Sequence, residues 1–284
     1  MANDPKRAEI DRLIDAAGEH AEEIRATLRP RVGLTALPWV GSTLEPGASR
    51  LGGPADLPPG LAWPECEGRP MALLAQFDFA NLVPSHEAKR WNLPLPTTGW
   101  LCLFIDSRDP IEGIAGRDAH VAAMQFAGDA ASLVRHDPQP APDANLWTHC
   151  HRAIVCPADF NLVLPHAECY EAADFVRQIP EDDYERLDHY SELVVAVEDV
   201  GRCRASAHLL GYPHLLNPDP RPGPDWTLLA HFDGESPWAA GVGDGDGYPR
   251  RADLGTTDAL GYYVRCDDLA AGRLDRGAFA RSLS

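Results

Sequence analysis

The stretch "LLAQFD" at residues 73–78 returns as "LLAHFD" at 228–233, with five of six letters kept and 228 − 73 = 155 residues between them. Both copies are short, apolar and free of glycine and proline, which predicts a β-strand at each site. In a strand, Leu73, Ala75 and Phe77 share one face, as do Leu228, Ala230 and Phe232. The other faces carry Leu74, Gln76 and Asp78, and Leu229, His231 and Asp233. Each strand therefore begins apolar on both sides and turns polar on one side at its end. Two halves related by a pseudo-twofold axis would bring those polar ends into one cleft.

More than the hexapeptide repeats. "SRLGGPADLP" at 49–58 precedes the first copy and "SAHLLGYPHLL" at 206–216 precedes the second. Each contains Leu-Gly-x-Pro, at Leu51–Pro54 and at Leu210–Pro213, and each is followed by a tryptophan, Trp63 and Trp226. After each strand a glycine opens another apolar run, "GWLCLFID" at 99–106 and "GYYVRCDD" at 261–268. A recurring order of turn, tryptophan, strand, glycine and strand is the mark of one supersecondary unit used twice. Further strands are expected at 119–126, 151–156, 160–165 and 192–198. Residues 167–190 read as one or two helices broken at Pro180, and Asp275–Leu283 as a closing helix. "PQPAPDAN" at 138–145 reads as a crossing between halves.

Residues 4–28 carry apolar side chains at helical steps, from Ile10 and Ile14 to Ile24 and Leu28, behind a capping Asp4 and Pro5. The fold class expected is α+β, mainly antiparallel β with an internal pseudo-duplication and a packed N-terminal helix. Residues 1–30 form that helix, 31–145 the half with the first repeat, and 146–284 the half with the second, in one compact domain.

Composition narrows the function. The formal net charge is −18, from 43 acidic and 25 basic residues. Such a surface repels phosphate backbones and anionic lipid, so neither nucleic acid nor membrane is expected as a partner, whereas a basic protein suits it. Met1–Asp4 lacks a secretory pattern, and "WLCLFI" at 100–105 is too short to span a bilayer. Seven cysteines without a C-x-x-C read as buried free thiols, and the chain as cytoplasmic.

The runs "SRLGGPADLPPGLAWPECEGRPMALLAQFDFANL" at 49–82, "LPTTGWLCLFID" at 95–106, "HLLGYPHLL" and "WTLLAHFD" resemble the YwqG-like bacterial proteins, a family of unknown function. The resemblance spans roughly 49–106 and 206–269. It implies an α+β fold with antiparallel sheets. Because some members sit among contact-dependent toxin and immunity genes, it also implies a neutralising, immunity- or antitoxin-like role. Members carry a Trp-Gly-Asp-Ala-Gly-like approach to the last strand. Here "TDALGYY" at 257–263 keeps Asp258 and Gly261 but not the tryptophan, and "GVGDGDGYPRRAD" at 241–253 is inserted.

No catalytic signature is complete. His231 and Asp233, two apart on one strand face, have the makings of a base and its orienting carboxylate, but Gln76 at the matching position exchanges no proton. Ser49 or Ser206 with His208 lacks a nucleophile elbow, and a turn-capping hydroxyl suits both serines better. His149 and His151 share a strand face and, with Cys156, His166 and Cys169, invite a zinc test, although their spacings match no standard motif. "HEAKR" at 86–90 lacks the second histidine of a metalloprotease, and the Gly-Asp loop at 241–247 is no phosphate cradle. The expectation is a non-enzymatic protein-binding module without cofactor. Its binding residues would be Gln76, Asp78, His231, Asp233 and Asp258, with Trp63 and Trp226 beside them. The alternative is a small-substrate hydrolase working through His231 and carboxylates in the same cleft.

Overall fold

A computed structural model of the chain describes residues 4–38, 44–106, 121–138, 151–154, 160–180, 182–201, 207–213, 219–233 and 258–283, with the backbone alone at 36–38, 151–154, 201, 233, 258 and 281–283. The N-terminal apolar stripe does form helix, but in two pieces. Asp4 caps α1 (Pro5–Asp15), accepting from the Lys6 amide at 3.0 Å, with Pro5 in the first turn. Gly18 then takes a φ of +66°, and the chain passes through one 3-10 turn into α2 (Ala21–Ala26). Glycine adopts that left-handed conformation at little cost, which is why the break falls there.

The strands of the first part are β1 (Arg29–Pro38), β2 (Arg50–Leu51), β3 (Ala55–Leu57), β4 (Glu65–Cys66), β5 (Arg69–Pro70), β6 (Ala72–Asp78), β7 (Trp100–Ile105), β8 (Val121–Phe126) and β9 (Val134–His136). Those of the second are β10 (His151–Ile154), β11 (Phe160–Val163), β12 (Ala207–Leu210), β13 (Trp226–Asp233), β14 (Asp258–Arg265) and β15 (Gly277–Leu283). Short helices α3 (Phe79–Leu82) and α4 (Ser85–Trp91) follow β6, α5 (Asp174–Arg177) and α6 (Tyr184–Gly201) follow β11, and α7 (Cys266–Ala270) follows β14. Every strand pairing described is antiparallel, and the chain is of the α+β class.

The strand order is β15-β14-β13-β12-β1-β10-β2-β6-β7-β8, with β11 also on β1. Outward from the central β1–β10 pair, four strands follow in chain order on either side. β1 changes neighbours along its length. Arg31–Leu34 lie beside β12, and Thr35–Pro38 lie beside β10. β10 in turn lies against β2, while β11 returns to the start of β1.

The two hexapeptides occupy matching places, β6 and β13. Each pairs with the following long strand, and each hairpin slips register at the same letter, between Leu73 and Ala75 and between Leu228 and Ala230. That β-bulge overturns the simple alternation. One extra residue moves everything after it to the other face. Leu74, Ala75 and Phe77 therefore join the shared core, as do Leu229, Ala230 and Phe232, while Leu73 and Leu228 pack in separate outer clusters. Phe77 and Phe232 stack in that core, with ring centroids 6.4 Å apart and planes inclined at 15°. Because Gln76 and His231 alternate with the phenylalanines, they point away from the shared core rather than into a cleft between the halves.

Pairing also corrects the letter-by-letter match of the flanking motifs. Leu51 lies opposite Ala75 and Leu209 opposite Ala230, so Gly52–Gly53 correspond to Leu210–Gly211, each pair with two successive positive φ angles. The match is one residue off Leu-Gly-x-Pro. Gly261, opposite His231, corresponds to Cys102, opposite Gln76, and not to Gly99.

Two expected elements differ in type. Residues 192–198 lie inside α6. Tyr190, Val194 and Val197 are buried there while Val195 is exposed, a helical spacing that the β-branched run "VVAV" masks. The expected closing helix at 275–283 is strand β15, with Phe279 opposite Tyr262. A side chain at Gly277 would meet the Tyr262 ring at 2.3 Å and the Tyr263 carbonyl at 2.5 Å, so close approach to β14 fixes glycine there. The expected crossing at 138–145 lies, but for Pro138, outside the described residues. Helices α1, α2, α5 and α6 form a second layer around Ile10, Ile14, Ile24, Val176, Tyr190 and Val194, seated on Leu162 and Leu164.

Candidate functional site

Gln76 is wholly buried, and both ends of its amide are used. Its Oε1 accepts from the Asp56 amide at 2.7 Å, and its Nε2 donates to the Ala48 carbonyl at 3.2 Å. Asp78 caps α3, accepting from the Ala80 amide at 3.0 Å and from the Asn81 side chain. Ser49, the serine considered as a nucleophile, accepts the Asp78 amide at 2.9 Å. Asp78→Ala should cost about 1 kcal/mol of stability, as loss of a cap does, and be read as a lower urea midpoint at unchanged slope.

His231 is 3% exposed and stacks on His208, its partner across β12 and β13, at 4.6 Å and 25°. The His208 Nε2 lies 3.2 Å from the Tyr212 carbonyl. The side chains of Asp233 and Asp258 lie outside the description; their backbones pair at the ends of β13, β14 and β15. The two tryptophans play different parts. Trp63 donates to the Met71 carbonyl at 2.9 Å and sits edge-on to Phe104, whereas Trp226 opens β13 and packs against Leu228 and Tyr263.

The zinc candidates are not brought together by what is described. His149 and Cys156 lie outside the described residues, as does the side chain of His151, while Cys169 closes a turn on the His166 carbonyl. Among the described residues no group of three or more His, Cys, Asp or Glu is arranged to hold a metal. Burial pushes the thiols of Cys102 and Cys169 well above the ordinary range, which disfavours the thiolate that nucleophile and ligand both require. Cys66 is buried too, whereas Cys266 is exposed, against the expectation of buried thiols throughout.

Two buried ion networks went unnoticed in the sequence. In the first, the Asp56 carboxylate receives Arg135 at 2.8 and 3.0 Å, the Gly47 amide at 2.8 Å, and the guanidinium of fully buried Arg50. Burial alone would raise the Asp56 pKa, but the Arg135 hydrogen bonds and the Arg50 charge hold it below the ordinary value. In the second, Arg221 joins Asp219 at 2.9 Å and Glu171 at 2.6 Å, and Arg29 reaches Glu171 at 3.0 Å. Burial would likewise raise Glu171, and Arg221 keeps it low. Both networks tie loops to strands; the only trace in the sequence is charge at positions whose neighbours are turn residues.

The exposed face of α6 is chemically distinct. Glu185, Asp188, Glu192 and Asp199 recur at steps of three, four and seven, so all four lie along one strip. Tyr184, 70% exposed, and Val195, 54% exposed, border the same strip. Like charges at these spacings destabilise an isolated helix by about 0.2–0.5 kcal/mol a pair. Beside the strip, a groove of about 440 Å³ runs between α6 and the helices α1, α2 and α5.

An antiparallel α+β chain with two matching hairpins is the class this geometry defines. Residues 49–276 match a domain of unknown function, DUF1963, and over so much of its length the chain belongs to that family. No curated protein matches it. Among the described residues no helix is long and apolar enough to cross a membrane.

Proposed function

We propose that this protein is a non-enzymatic binding module for a basic protein, and that the acidic strip of α6 is the face it presents. The observation that carries the reading is the strip itself, four carboxylates in a row with Tyr184 and Val195 exposed beside them. Complementary charge steers encounter, and exposed aromatic and apolar groups supply contact area once water is excluded. The formal net charge of −18 adds long-range attraction of the same sign. A toxin domain neutralised by this chain is one such basic partner, in keeping with the YwqG-like resemblance.

Of the seven residues expected to bind, three are out of a partner's reach. Gln76, Asp78 and His231 are buried, so a partner approaching the described surface does not touch them. Gln76 and Asp78 hold the scaffold, and the matching bulged hairpins are one duplicated unit. The hydrolase alternative would need buried His231 to reach a substrate. His231→Ala is expected to leave partner capture unchanged, whereas Glu185→Lys/Asp188→Lys/Glu192→Lys is expected to abolish it. Affinity capture from the native host, with quantitative mass spectrometry of the bound fraction, reads both.

A further inference from the structure

Resting on the reading just given, we infer that the groove beside α6 receives a single large aromatic side chain of a cationic peptide segment, whose lysines or arginines lie along the acidic strip. The groove floor is apolar, made by Leu13, Ile24, Phe175, Ile179 and Leu193. Its walls offer ring surfaces. His20 stacks on Phe175 at 4.1 Å and 11°, and Tyr190 meets Phe175 edge-on at 6.2 Å. A cavity of about 440 Å³ suits one aromatic ring and its linking atoms better than a folded domain.

Charge decides what surrounds that ring. Three basic groups line the groove, and two already have a carboxylate at hand: Glu19 lies 3.8 Å from His20 and Asp183 lies 3.9 Å from Arg186. The third, His189, lines the groove from α6 and follows Asp188 in the chain. One row further round α6 come Glu185, Asp188 and Glu192, all exposed. An anionic segment would meet that row and be repelled, while a cationic one is drawn to it. Anchoring one aromatic side chain in a desolvated pocket, with charge pairs at the rim, is the usual division of labour in peptide recognition.

Two synthetic lysine-rich peptides test this, identical except that one carries a central tryptophan and the other alanine there. Calorimetry should show the tryptophan peptide binding the full-length protein roughly tenfold tighter. Ala16→Trp, at an exposed position on the groove wall, should erase that difference, with circular dichroism confirming the fold. Glu185→Lys/Asp188→Lys/Glu192→Lys should weaken both peptides. Equal affinity of the two peptides for the unmodified protein, or a difference that survives Ala16→Trp, overturns the inference. If the native partner is captured at full yield by Ala16→Trp while the peptides are not distinguished, the groove fails and the binding module stands. If the unmodified protein captures nothing, the module fails.

Discussion

Asp56→Ala is expected to destabilise the protein by about 3–5 kcal/mol, because it strands the fully buried Arg50 and half-buried Arg135 without their carboxylate. The loss exceeds that of an ordinary surface ion pair because Arg50 and Asp56 are both buried away from solvent. Gly47 loses an acceptor as well, and the segment before β2 loses the carboxylate that ties it to β3. Urea unfolding followed by circular dichroism measures it. The sign of the pH dependence follows from the depressed Asp56 and Glu171 carboxyls. Groups whose folded pKa lies below the unfolded one stabilise above the unfolded value, and that stability is lost as pH falls through the folded value. Unmodified protein should therefore weaken steadily as pH falls below the ordinary carboxylate range. In Asp56→Ala that acid limb should be shallower, and a limb equally steep would assign the pH dependence to other groups.

The second large effect lies where β6 and β13 meet in the core. Phe77→Ala and Phe232→Ala should each cost about 3–5 kcal/mol, since both side chains are wholly buried in one continuous core. Because the rings stack on each other, the double variant should lose less than the sum of the singles, by roughly 0.5–1.5 kcal/mol. Strict additivity would mean that each ring packs only against its own hairpin. Unfolding of both variants should stay a single transition at one wavelength and another, since the cluster draws on β6, β7, β13 and β14 alike.

How much of this was legible beforehand depends on the kind of pattern involved. The two hexapeptides announced β6 and β13, and the apolar run at 100–105 announced β7, because a buried strand needs only apolar letters bounded by turn residues. Which face each letter took was not legible. The bulge after Leu73 and Leu228 is a backbone event with no distinctive residue, and it sent Leu74 and Leu229 inward against strict alternation. "ELVVAVE" misled for a different reason. Valine favours strands weakly, and burial of Tyr190, Val194 and Val197 on one helical face overrode that preference.

The candidate site was less legible than the fold. Gln76 and Asp78 looked available because they are polar at a strand end, yet the hydrogen bonds that consume them come from Asp56, Ala48 and Asn81, remote or unremarkable in the sequence. The acidic strip was in plain view but hidden by the reading of 192–198 as strand, which scatters Glu192 and Asp199 away from Glu185. Helical spacing alone aligns them.

Capture of a native partner by three versions of the full-length protein tests the functional reading most directly. The unmodified chain and His231→Ala should bring down the same basic protein in near-stoichiometric amount, and Glu185→Lys/Asp188→Lys/Glu192→Lys should bring down none. A partner retained by the charge-reversed helix, or lost with His231 alone, would contradict the account.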